Sequence, residues 1–81
     1  MHRVTKIKVI EDFHLQLTFD NEEVRTVDIK PYLDKGVFKR LKDPSLFNQA
    51  YVAWDTVCWP GELDISPETL YAKSKLVHKA A

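Results

Sequence analysis

Phe13, Leu15, Leu17 and Phe19 alternate with His14, Gln16 and Thr18, a period of two that marks a strand with one buried face. The preceding segment Val4–Ile10 reads as its partner, with Thr5, Ile7 and Val9 on a face opposite Lys6 and Lys8. Register constrains the turn between them. Placing Val9 across from Phe13 and Ile7 across from Leu15 requires the odd-numbered loop Ile10-Glu11-Asp12, since a two-residue loop would set Lys8 opposite Leu15, on the core face. A third strand over 23–29 follows the turn-prone Asp20-Asn21-Glu22. Its Val27 and Ile29 are expected inward together with Arg25, which again asks for an odd loop or a bulge.

The pattern changes at Pro31. Tyr32 and Leu33 suggest a short helical turn ended by Gly36, and Phe38 and Leu41 sit at helical spacing among Lys39, Arg40 and Lys42. Asp43-Pro44-Ser45 is a helix start, an acidic cap followed by Pro at the first helical position. Leu46, Phe47 and Ala50 then line one side. A second β region follows, in which Val52 and Trp54 alternate with Tyr51 and Ala53, and Val57 and Trp59 with Thr56 and Cys58. Asp55 and its neighbours supply the turn, and Pro60-Gly61 ends the hairpin, because Pro cannot donate to a ladder and Gly permits a sharp corner. Ser66-Pro67-Glu68 opens a last helix with Leu70, Ser74 and Val77 on one stripe, Tyr71 beside it, and Asp64 placed to accept backbone N–H bonds near the cap. The predicted fold is α+β: a three-stranded antiparallel meander, a short helical crossover, a β-hairpin and a C-terminal helix, in a single domain over 1–81.

Composition narrows the class. Eighty-one residues lie near the lower end of what buries a core without staples, and a 44% hydrophobic content with 2 Trp, 3 Tyr and 4 Phe is enough for one. The single cysteine excludes an internal disulfide framework and a multi-cysteine zinc site. The charged start Met1-His2-Arg3 lacks the apolar run of a signal peptide, and Ala50-Tyr51-Val52-Ala53-Trp54 is too short to cross a bilayer, so a cytoplasmic protein without membrane contact is expected. Twelve basic and 12 acidic residues cancel, which weakens a nucleic-acid reading.

Candidate chemistry is sparse. Cys58 with His14 and an aspartate could be written as nucleophile, base and orienter, yet no glycine-rich elbow or phosphate cradle accompanies them, and packing beside Trp59 is favoured. His2, His14 and His78 share no metal-ligand spacing. Asp28, Asp55 and Asp64 each have a turn or cap role available. No catalytic residue, metal or cofactor is therefore expected. Two basic clusters remain: Lys39, Arg40 and Lys42 on the crossover, and Lys73, Lys75 and Lys79 on the last helix, where solvated faces are the plainer reading. Tyr51 and Trp54 are the open question. With Trp59 they fill the core or, failing a cover, meet a partner, and core filling is favoured.

Val27-Asp28-Ile29, then Gly36, Phe38, Leu41, Asp43 and Phe47, and finally Trp59, Pro60, Asp64, Ile65, Pro67, Glu68, Leu70 and Tyr71 together resemble a small bacterial family of domains of unknown function. Its closing pattern is W-P-x-x-x-D-[LI]-x-P-[DE]-x-L-Y, and the likeness covers nearly the whole chain. Members often carry Asn-Gly after Trp-Pro, where this chain has Gly61-Glu62. The resemblance implies an α+β domain that stands alone or is fused to a helix-turn-helix domain. It also implies a neighbouring gene product, in an arrangement like a toxin–antitoxin pair, and no established catalysis. The expected role is thus a non-enzymatic interaction or regulatory domain, the antitoxin-like member of a two-gene unit. Its contacts would be Tyr51, Trp54, Lys39, Arg40 and Lys42, with a protein partner or a second copy. The alternative is a nucleic-acid-associated regulator that reaches nucleic acid only with its partner, and a small enzyme comes third.

Overall fold

The computed structural model describes residues 1–79, which form seven strands in two antiparallel sheets with short helices between them. Strands β1 (Val4–Ile10), β2 (His14–Phe19), β3 (Glu23–Asp28) and β7 (Lys75–Lys79) lie side by side in that order. Strands β4 (Tyr51–Ala53), β5 (Thr56–Trp59) and β6 (Leu63–Ile65) make the second sheet. Two 3-10 turns, Lys30–Tyr32 and Gly36–Lys42, and helix α1 (Pro44–Phe47) carry the chain from one sheet to the other. Helix α2 (Pro67–Lys73) leads back.

The α+β expectation is overturned. The protein is mostly β, and meander and hairpin each gain a strand that the sequence did not announce. The C-terminal helix is the largest correction. Ser66 caps it as expected, accepting the Thr69 N–H at 3.2 Å, with Pro67 in the first turn. It stops after Lys73 because Ser74 leaves the helical region (φ −90°, ψ 164°). The Ser74 hydroxyl donates to the Tyr71 carbonyl (2.7 Å) and accepts from Arg25 Nε (2.6 Å), so the helix end is tied to β3. Residues 75–79 then pair with β3, satisfying an edge that would otherwise expose unpaired backbone groups. Lys75 and Lys79, expected on a helix, stand on this strand.

Residues 63–65, expected to lead directly into the helix cap, form β6 instead, pairing Trp59 with Leu63 and Val57 with Ile65. Asp64 accordingly stands opposite Cys58 on an exposed face and takes no part in the cap.

Register in the first sheet differs by two residues, which moves the turn along the chain by one. Val9 pairs with Leu15 and Ile7 with Leu17, so the three-residue loop is Glu11-Asp12-Phe13. The buried face is preserved because strand parity is unchanged. Phe13 adopts φ 59°, an unusual backbone for a bulky residue, and its ring meets Phe47 edge-on with centroids 5.1 Å apart. At the other end of β1, an irregularity between Val4 and Lys6 sends Val4 into the core and Thr5 to solvent. In β3, Val27 pairs with Leu15 across the three-residue loop Asp20-Asn21-Glu22, and Val27 and Ile29 are both buried.

One core lies between the sheets. Leu15, Leu17, Phe19, Val27 and Ile29 meet Leu41, Phe47, Val57, Trp59 and Leu70 there. Trp59 is fully buried, and its Nε1–H donates to the Phe47 carbonyl at 3.0 Å, which removes the cost of an unpaired indole N–H. Asp43 caps α1 by accepting the Ser45 N–H at 3.0 Å. The sheets are also joined directly, since the Val4 N–H donates to the Asp55 carbonyl at 2.9 Å.

Candidate interaction surface

The β4–β5 hairpin turns on Trp54 and Asp55, at φ 55° and 62°. Two successive residues with positive φ define the primed turn whose twist suits a two-residue hairpin, and such turns favour Asn and Gly. A tryptophan there is strained, yet its side chain is 89% exposed and fills no core space. Tyr51, 47% exposed, stands in the third residue pair from the turn, opposite Cys58, which is in turn opposite Asp64. Tyr51, Trp54, Cys58, Gly61, Glu62 and Asp64 line a groove of about 440 Å³. Asp55 sits 3.9 Å from Arg3, whereas Glu62 and Asp64 make no ion pair among the described residues. The surface is aromatic at its tip and acidic along its rim.

Core filling, expected of all three aromatics, holds for Trp59 alone. Trp59 is buried at the floor of the groove, while Tyr51 and Trp54 line it as exposed side chains. The crossover cations do not join them as a patch. Arg40 donates to the Gly61 carbonyl at 3.0 Å, and its guanidinium lies 2.8 Å from where a Cβ on Gly61 would stand, so it clamps the Pro60-Gly61 corner. Lys42 pairs with Asp34 at 2.7 Å and holds that carboxyl below its ordinary range. Lys39 has no ion pair among the described residues.

The same face contains the one thiol. Cys58 is 6% exposed, its Sγ–H directed at the Ala53 carbonyl (3.7 Å). Burial first, and then the Asp64 carboxylate, push the thiol above its ordinary 9.0, so it remains protonated at neutral pH. His14, the base the sequence offers for it, stands on β2 in the other sheet. Among the described residues no three His, Cys, Asp or Glu side chains gather as a metal site, and no helix is long and apolar enough to cross a membrane.

A second polar assembly went unseen in the sequence because its members are far apart. Tyr71 lies between His2, stacked at 3.6 Å, and the Arg25 guanidinium, 4.1 Å from the ring centroid. The Tyr71 hydroxyl donates to Glu23 (2.6 Å), which also receives Arg25 (2.7 Å), and Glu68 accepts the His2 N–H at 2.6 Å. Tyr71 and then Arg25 hold the Glu23 carboxyl below its ordinary 4.5, and His2 does the same for Glu68. The Glu23 bond raises Tyr71 above its ordinary 10.0. In the unfolded chain these groups return to their ordinary values. The carboxylate contribution to stability is therefore complete above 4.5 and is lost as pH falls through the lowered folded values. The Tyr71 contribution is complete below 10.0 and is lost as pH rises through its raised value. Thermal midpoints followed by circular dichroism should decline on both sides of that window. Glu23→Gln should flatten the acid decline in part, and an unaltered acid limb would show that Glu23 contributes nothing to it.

Fold and surface together describe a small two-sheet β domain whose second sheet presents an aromatic, acid-rimmed groove. Residues 4–75 match the family described as "Protein of unknown function (DUF2442)", and the chain belongs to that family. The match runs from the first residue of β1 to the first residue of β7. No curated protein and no solved structure matches the chain.

Proposed function

We propose that this domain is a non-enzymatic protein-interaction module that docks on a protein partner through Trp54 and Tyr51. One observation carries the reading: Trp54 is held on a strained turn with its indole almost wholly in water. A residue that contributes neither to the core nor to turn geometry has binding as its remaining use, and Trp and Tyr are the residues that most often anchor interfaces. The acidic rim of Glu62 and Asp64 suits a partner with basic side chains around an apolar pocket. A buried, protonated thiol, whose neighbouring Asp64 carboxylate raises its pKa further and whose sheet holds no histidine, supports binding over nucleophilic catalysis.

The finer reading, that the domain is the antitoxin-like member of a two-gene unit, rests on the family resemblance and on this groove. Co-expression with the neighbouring gene product tests it. A stoichiometric complex that survives size-exclusion chromatography, with relief of any growth arrest caused by the partner alone, is the expected result. Two separate elution peaks at micromolar concentration would overturn the assignment of that partner.

A further inference from the structure

The first sheet presents the opposite chemistry. Lys8, Gln16, Thr26 and Lys75 form one row of paired residues across β1, β2, β3 and β7, and Lys6 stands two residues from Lys8 on the same face. Three strand spacings put about 14 Å between the ends of that row. Two adjoining grooves, of about 360 and 250 Å³, open beside it and share Asp28 and Lys73. One includes Tyr32 and Lys35, and the other Thr26 and Lys75. The Lys35 ammonium lies 5.7 Å from the Tyr32 ring centroid. Among the described residues, Lys6, Lys8, Lys35, Lys73 and Lys75 make no ion pair, while Asp28, the one acid of the grooves, is approached by His14 and Lys30 at 3.9 Å each.

We propose that this lysine-lined trough is a single-stranded nucleic-acid site, with phosphates along Lys35, Lys73 and Lys75 and a base stacked on Tyr32. Unopposed lysines beside an aromatic ring that lines a groove, as the half-buried Tyr32 does, are the chemistry that holds a sugar-phosphate backbone without reading its sequence. An acidic protein surface fits less well. The sheet face bordering the trough offers Gln16, Thr18 and Thr26, and the apolar side chains near it, half-buried Ile10 and the half-exposed Leu76 and Val77 of β7, are aliphatic rather than the aromatic anchors that interfaces favour. The grouping is invisible in sequence, because β7 and the end of α2 bring Lys73 and Lys75 to Lys35 from the far end of the chain. The site lies on a different sheet from the Trp54 groove, so this inference stands apart from the protein-docking reading.

The test uses the full chain and a fluorescein-labelled 12-nucleotide uridine oligomer, with binding followed by anisotropy. Saturable binding is expected at 50 mM salt, falling about 20-fold at 200 mM, the slope for three neutralised phosphates on a single strand. Lys73→Gln with Lys75→Gln should weaken binding at least tenfold and make the salt slope shallower. Tyr32→Leu should weaken it at least fivefold, and Tyr32→Phe should restore it. Circular dichroism melts of each variant separate loss of the site from loss of the fold. Absence of saturable binding at 50 mM salt overturns the proposal, as does affinity unchanged in the folded lysine variant. Equal competition by polyglutamate would assign the trough to acidic protein segments instead, and so overturn it as well.

Discussion

Trp59→Ala is expected to destabilise the domain by about 3–5 kcal/mol, the range for deleting a large aromatic from a packed core. Trp59 is fully buried between the sheets, against Phe47 at a centroid distance of 5.9 Å. Its loss leaves a cavity and removes one of the two hydrogen bonds to the Phe47 carbonyl, which keeps the Ala50 N–H at 3.3 Å. A domain of this length has roughly 4–12 kcal/mol of stability in total, so much of the population should unfold. Trp59→Phe separates the two contributions, since it keeps most of the apolar volume and loses only the hydrogen bond and some packing. It should cost about 1–3 kcal/mol. Urea titration followed by circular dichroism reads both. A Trp59→Ala midpoint giving less than 1 kcal/mol of change would mean that the sheets do not close on this residue.

Trp54→Asn should move stability and binding in opposite directions. The turn at Trp54-Asp55 needs positive φ at both positions, and asparagine adopts that backbone far more readily than tryptophan. With an indole 89% exposed, almost no packing is lost. Stability is expected to rise by about 0.5–1.5 kcal/mol, measured by the same titration. Affinity for the protein partner should fall by at least 30-fold, the equivalent of about 2 kcal/mol for an aromatic anchor. Trp54→Phe, which keeps an aromatic ring, should retain part of the affinity without the gain in stability. A Trp54→Asn protein that is less stable, or that binds its partner unchanged, would remove the groove from consideration.

The strands with several periods of alternation were legible in the sequence, and the shorter ones were not. β2 runs through three full periods, and its inward face follows from them, whereas β6 has three residues and offers a single alternation. β7 was hidden by a well-formed helix start. The periodicity at Leu70, Ser74 and Val77 gave no reason to stop, and no Gly or Pro ends α2. The stop comes from Arg25, 49 positions away, bonding to Ser74. Local pattern carries no information about that contact. The loop slip at Phe13 has a similar origin, because its backbone is unfavourable locally and is accommodated by contact with Phe47 and by the Ile29 N–H bond to its carbonyl. For the surface, Tyr51 and Trp54 were singled out from sequence but assigned to strand faces, when Trp54 is the turn itself. The basic clusters were grouped by adjacency along the chain. Folding dissolved one of them into Arg40 and Lys42 side-chain clamps and gathered Lys35 with Lys73.

The antiparallel pairing of β3 with β7 also bears on how quickly the protein folds. Joining segments about fifty positions apart requires closing a long loop before any of its contacts form, and chains dominated by such pairings fold in milliseconds to seconds. During synthesis, at about 5–20 residues per second, β3 is made several seconds before its partner. For that interval the nascent meander carries an open edge, with Thr26 and Val24 among the residues awaiting β7. Interception of that edge by another chain, rather than failure of the finished core, is the hazard this topology creates.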